Sequence, residues 1–207
     1  MPAPRSSSSV EGVHGLVLAA GAGRRFGSVK QLAPFAGRPL IEAPVRALRA
    51  AGLARVVVVL GFEADLIEGH ADLGSVDVVR CGRWATGIGA SLSAGLEALV
   101  PGAAEAAVVV LGDQPLIDPR TVRELITARG AGLDAVRATY EGRPGHPVLL
   151  ERGAWPRLLA ADPAYGAAAS LDPGRVAFVR CDGLGSDADV DTTEALNSLA
   201  SGPCAGA

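Results

Sequence analysis

Short aliphatic and β-branched runs alternate along the chain with longer stretches whose apolar residues recur at helical spacing. That alternation is the pattern of parallel strands joined by crossover helices. Four runs are nearly continuous in apolar residues and predict strands buried on both faces: Val13–Ala19, Arg55–Leu60, Val76–Val79 and Ala107–Leu111. Weaker strand signals follow at Ala135–Thr139, Pro147–Leu150 and Arg175–Val179, the middle one a candidate antiparallel element. Helices are predicted at Pro39–Ala51, which opens on a proline suited to a first turn and ends before Gly52, and at Gly87–Leu99, where Leu92, Leu96 and Leu99 share a face. Pro119–Arg129 and Thr192–Leu199 complete the set. No internal repeat or linker interrupts the pattern.

The chain has 207 residues, a length that suits one domain. The expected organisation is a disordered lead-in over 1–12, a single domain over 13–199 and a frayed tail over 200–207. Hydrophobic residues make up 49% but aromatics only 4%, so the core is built from Ala, Val and Leu in close layers, as in α/β proteins. A net charge of -3, from 19 basic and 22 acidic side chains, offers no stripe for a phosphate backbone and argues against nucleic acid as a partner. Cys81, Cys181 and Cys204 lie far apart without metal-ligand spacing, which suits a reducing, cytoplasmic setting. The lead-in has no signal-peptide character. No apolar stretch is long enough to span a membrane, so none is expected as a partner.

The chemistry begins where the first strand, Leu16-Val17-Leu18-Ala19, runs into Ala20-Gly21-Ala22-Gly23-Arg24-Arg25-Phe26-Gly27, with Lys30 following. Small residues let backbone N–H groups approach phosphate oxygens, while Arg24, Arg25 and Lys30 supply charge for a polyphosphate. A tight turn flanked by solvated arginines is the plainer reading of the glycines alone. The segment is no Walker A loop. It also misses the dinucleotide fingerprint, whose third glycine falls on Phe26 and whose acidic ribose contact has no partner at the expected distance.

The run Leu18-Ala19-Ala20-Gly21-x-x-x-Arg25-Phe26-Gly27-x-x-Lys30 resembles the signature of the MobA/MocA-like nucleotidyltransferases. The likeness continues through Gln31-Leu32-Ala33-Pro34, Gly37-Arg38-Pro39-Leu40, Trp84, Gly87, Ser91-Leu92 and Gly95-Leu96. It returns at Leu111-Gly112-Asp113-Gln114-Pro115, Gly145-His146-Pro147 and Asp189-Val190-Asp191-Thr192. The resemblance implies a three-layer α/β/α, Rossmann-like domain with a mostly parallel sheet. Ala20, where guanylyl-transferring relatives tend to carry a second glycine, makes the loop look like the cytidylyl-transferring branch. The implied activity is transfer of CMP from CTP to a phosphorylated molybdopterin-type acceptor, with a molybdoenzyme or chaperone as a further partner. Two departures bear on the acceptor more than on the nucleotide: Asp162–Ala169 lacks the arginine usual there, and Cys81 replaces a commonly polar residue. Some proteins similar to this family are described as NAD(P)H-dependent reductases of quinonoid pigments of the nicotine blue type. The near-miss fingerprint and the Arg24-Arg25 pair keep that alternative open.

Nucleotidyl transfer brings two anions together, which a divalent cation such as Mg2+ offsets through one or two carboxylates plus substrate phosphates. Asp113 follows the fourth strand, and the carboxyl ends of strands border the ligand crevice in an open sheet, so it should converge with the loop. On this reading Ala19, Ala20, Gly21, Gly23, Arg24, Lys30 and Asp113 bind nucleotide, and Arg24, Lys30 and Asp113 act in the reaction. Asp191 fits either a second metal ligand or an N-cap completed by Glu194. His146 fits either acceptor contact or a structural hydrogen bond. His14 is expected in the core and His70 at the surface.

Overall fold

The computed structural model describes residues 10–200. Its strands are β1 (Val13–Leu18), β2 (Pro34–Phe35), β3 (Arg38–Pro39), β4 (Val56–Leu60), β5 (Asp77–Arg80), β6 (Ala106–Leu111), β7 (Ala135–Tyr140), β8 (Arg143–Glu151) and β9 (Val176–Arg180). The helices are α1 (Glu42–Ala50), α2 (Ala64–His70), α3 (Ile88–Leu99), α4 (Pro119–Thr127), α5 (Trp155–Leu159) and α6 (Thr193–Ala200). All strands except the β2–β3 hairpin join one seven-stranded sheet of order β5-β4-β1-β6-β8-β7-β9. Only β8 runs antiparallel to its neighbours. The architecture is the three-layer, mostly parallel α/β fold.

Strand periodicity divides the core into two layers. Val56, Val58 and Leu60 of β4 pack with α1, α2 and α4, whereas Val57 and Val59 pack with α3 and α5 on the other face. All five residues of β4 are buried, as a central strand with helices on both faces must be. On the α3 side Trp155 is 2% exposed and donates its indole N–H to the Leu150 carbonyl at 3.3 Å. A third, smaller cluster joins Phe26, Phe35, Leu40, Val190 and Leu196, so the segment after β1, the hairpin and α6 share one core.

Several local expectations needed correction. Pro39 does not open a helix; it pairs with Pro34 in the β2–β3 hairpin, and α1 starts at Glu42 because the Leu40 and Ile41 N–H groups bond back to Ala33 and Gln31. The third strand is not buried on both faces but is the edge strand β5, shifted by one residue, with Asp77 and Arg80 exposed. Helices α2 and α5 were not anticipated, being too short to show a period. The antiparallel candidate is the nine-residue β8, inserted between β6 and β7. His14 is only half-buried, and His70 is exposed. Residues 10–12 form a turn into β1; the rest of the lead-in, 1–9, and the tail, 201–207, with Cys204, lie outside the described residues.

Candidate active site

Parallel strands β1 and β6 are neighbours, so the loops leaving their carboxyl ends meet. The Gly112 N–H donates to the Leu18 carbonyl at 2.9 Å. A Cβ on Gly112 would lie 2.6 Å from that of Ala19, so only glycine lets the two loops approach this closely. Gly23, at φ +54, turns the glycine-rich segment back over Lys30 in the left-handed region that glycine favours. Buried Gln31 then ties the loop down from below, its amide donating to the carbonyls of Ala19 at 2.9 Å and Gly21 at 2.8 Å.

At this junction the charges are drawn together. The Lys30 ammonium, 7% exposed by residue, reaches Asp113 Oδ2 at 2.5 Å and Asp191 Oδ1 at 3.5 Å. Arg25, on the loop surface, pairs with the other Asp191 oxygen at 2.9 Å. The segment before α6 is docked there by the Val190 N–H on the Asp113 carbonyl and by Gln114, whose amide donates to the Asp187 carbonyl at 2.9 Å and Asp189 Oδ1 at 2.8 Å. Burial, followed by the nearby Asp113 carboxylate, raises the Asp189 pKa above the ordinary carboxylate value.

The structure thus brings Lys30, Asp113 and Asp191 together. Asp191 is not the cap of α6: Thr192 Oγ1 accepts from the Ala195 N–H at 3.2 Å, leaving the Asp191 carboxylate to face Lys30 and Arg25. A cavity of about 450 Å3 is lined by Ala20, Gly21, Gly23, Arg24, Trp84, Gly87, Ser91 and Asp113. Lys30, Ala19 and Gln31 border a smaller space with Gly21, Gly23 and Asp113. His146 lines a different, neighbouring cavity. Arg25, expected to supply charge for a polyphosphate, instead pairs with Asp191; Gln31, Gln114 and Asp189 are site residues that the sequence reading gave no role, and the adjacency of Gln31 to Lys30 and of Gln114 to Asp113 was the available signal. Among the described residues no three His, Cys, Asp or Glu side chains form a metal-ligand group. Two carboxylates already arranged around one cation do fit a magnesium ion that takes its remaining ligands from phosphate and water. No helix among the described residues is long and apolar enough to cross a membrane.

The family described as the MobA-like NTP transferase domain matches residues 15–178. A relative named nicotine blue oxidoreductase, from Paenarthrobacter nicotinovorans, is 31% identical over 200 residues, spanning 90% of this chain and 96% of that one. The crystal structure of a Mycobacterium tuberculosis Rv0371c homologue from Mycobacterium sp. strain JC1 superposes with a TM-score of 0.78 at 32% identity, covering 91% of this chain and 95% of the other. The structure of Rv0371c from M. tuberculosis in complex with manganese does so at 0.73 and 28% identity, covering 90% and 97%.

Proposed function

Since this chain belongs to the MobA-like NTP transferase family and is a nucleotidyltransferase, we propose that it moves CMP from CTP to a phosphorylated molybdopterin-type acceptor and releases pyrophosphate. One observation carries the reading: the buried Lys30 ammonium meets Asp113 at 2.5 Å where the glycine-rich loop and the end of β6 converge. Ala19, Ala20, Gly21 and Gly23 present backbone to the triphosphate, a close approach that larger side chains would block. Arg24 and Lys30 would offset the β- and γ-phosphate charge, and Asp113 with Asp191 would hold Mg2+, which would supply positive charge to the phosphates.

The acceptor phosphate oxygen attacks the α-phosphorus in line; the bond from that phosphorus to the bridging oxygen breaks, and pyrophosphate leaves with the electron pair. Phosphate is already a nucleophile, so the residues here need no general base and act by positioning and charge. Gln31 anchors the loop after β1 through the Ala19 and Gly21 carbonyls, and Gln114 ties the loop after β6 to the segment before α6. Incubation with molybdopterin, Mg2+ and each of the four nucleoside triphosphates should release pyrophosphate with CTP. Release with none of them would overturn the reading.

A second reading, NAD(P)H-dependent reduction of a quinonoid pigment, is favoured by the relative matched across 96% of its length and by the apolar cavity beside the loop. It predicts nicotinamide oxidation in the presence of quinones that survives EDTA. Loss of that oxidation on chelation, or its absence across a quinone panel, would discard it.

A further inference from the structure

Beside the nucleotide pocket, the same face of the sheet carries a second cavity of about 300 Å3. Strand register sets its floor as a row across the sheet, with Val109 opposite Val148, Val148 opposite Arg137, and Arg137 opposite Phe178. On the far face, α4 covers β7 and β8. On this face, α3 lies over β1 and β4, and its residues Ile88 and Leu92, with Gly166, Ala167, Ala168, Leu171 and Pro173, line the cavity above the floor. Two large apolar side chains at this cavity stay open to solvent: Phe178 is 57% exposed and Ile88 44% exposed. Exposed apolar surface gathered around a concavity marks a ligand site more than chance does.

One cation stands in this apolar lining. Arg137 is half-buried, and its guanidinium makes two long hydrogen bonds, to the Gly145 carbonyl at 3.2 Å and the Pro144 carbonyl at 3.5 Å. No carboxylate among the described residues lies within ion-pair distance of it. A half-buried cation without a counter-charge is costly, and an anionic ligand group removes that cost. Its polar neighbour in the cavity, His146, brings no competing charge: burial, reinforced by Arg137, pushes its pKa down to about 4.

We propose that this cavity binds the ring system of the acceptor, a planar aromatic body whose far edge carries one oxygen, anionic or the polarised carbonyl of a lactam, held by Arg137. Leu18 and Ile88 line both cavities, so a molecule seated here adjoins the nucleotide. Arg137 stands two strands away from β6, roughly 10 Å at the usual strand spacing, and so grips the end remote from Asp113. The assignment rests on the nucleotidyl-transfer reading only in calling the occupant an acceptor.

Calorimetric titration of the full chain with 2-naphthoate, pterin-6-carboxylate and the ringless carboxylate gluconate tests it, with the first two separating an apolar ring from a heteroaromatic one. At least one ring carboxylate should bind once per chain, on the order of tenfold more tightly than gluconate, and CTP should not displace it. Arg137→Gln, which keeps a donor for the Gly145 carbonyl, should weaken that ligand about tenfold while leaving uncharged 2-naphthol unaffected. Phe178→Ser, at an exposed edge strand, should weaken ligand and naphthol alike. Gluconate binding as well as both ring compounds, displacement by CTP, or an unchanged affinity in Arg137→Gln would overturn the proposal. Failure of pyrophosphate release with any nucleotide would count against transfer alone, because these titrations read binding to the protein without nucleotide.

Discussion

The two ends of the candidate site sit on one sheet and are built in opposite ways. At the nucleotide end an ammonium stands among carboxylates, and buried Gln31 and Gln114 spend their amide donors on fixing loops. At the other end a floor of Val, Ala and Leu carries one arginine with no carboxylate among the described residues within ion-pair distance. Both are stable, but for different reasons: the first balances its charges internally, and the second is apolar enough that only Arg137 is left uncompensated. The difference teaches where selectivity resides. The charged end offers groups suited to the polyphosphate that all four nucleoside triphosphates share, whereas a cleft with one cation is suited to discriminating an acceptor by ring shape and by the place of a single oxygen.

The largest effect is expected in the core behind the apolar floor, where Trp155 packs in one cluster with Val148 and Leu150. Trp155→Ala should cost about 3–5 kcal/mol of folding stability, the range for truncating a buried aromatic, measurable by urea unfolding, with CTP affinity retained in the folded protein. Loss of CTP binding while the protein stays folded would show that the two ends are not separable.

Next in size is the charged end. Asp113→Asn keeps the shape of the turn and should lower the rate of pyrophosphate release at least ~100-fold with little change in the thermal unfolding midpoint; Lys30→Ala should lower the rate similarly. Full activity of Asp113→Asn would remove this carboxylate from the reaction. A smaller effect is expected from Gln31→Leu, which strips the donor from two loop carbonyls at a cost of about 1–3 kcal/mol per buried group. CTP affinity should fall roughly tenfold, and calorimetry returning the original affinity would mean that the loop holds its shape without Gln31.

A last test sharpens the comparison through pH. His146 is held neutral in the fold by burial and by Arg137, with its pKa near 4, against about 6.5 in an unfolded chain. The unfolded state therefore binds the extra proton between those values, so this contribution to stability is complete above pH 6.5 and is lost as the pH falls toward 4. His146→Asn should lose less stability over that interval. His14, also lowered by burial and then by Arg55, remains in both proteins, so the difference in midpoint between them isolates His146. Parallel curves for the two proteins would place His146 in a more open environment.

The sheet's central strands, the loop after β1 and the position of Asp113 were all legible in the residues, because each depends on a local pattern. A run such as Val56–Leu60 buries both faces wherever it is placed, and Asp113 follows a strand whose end must border the crevice. Local pattern failed where a partner overrode it. Pro39 suits a first helical turn but is claimed by Pro34 in a hairpin, and Asp191 looks like a cap until Thr192 takes that role and frees it for Lys30. Lys30 and Asp113 lie 83 residues apart in the chain, and no spacing rule brings them to 2.5 Å; the adjacency of β1 and β6 does. The cleft around Arg137 depends still more on the tertiary structure, since it forms where α3 lies over β1 and β4 and where no carboxylate among the described residues approaches Arg137. Sequence by itself determined the central strands, the longer helices and the family, because burial periodicity and loop chemistry are written within a few consecutive residues. Only the tertiary structure decided which charges are paired and which one is left facing an apolar floor, because those depend on the order in which the strands assemble.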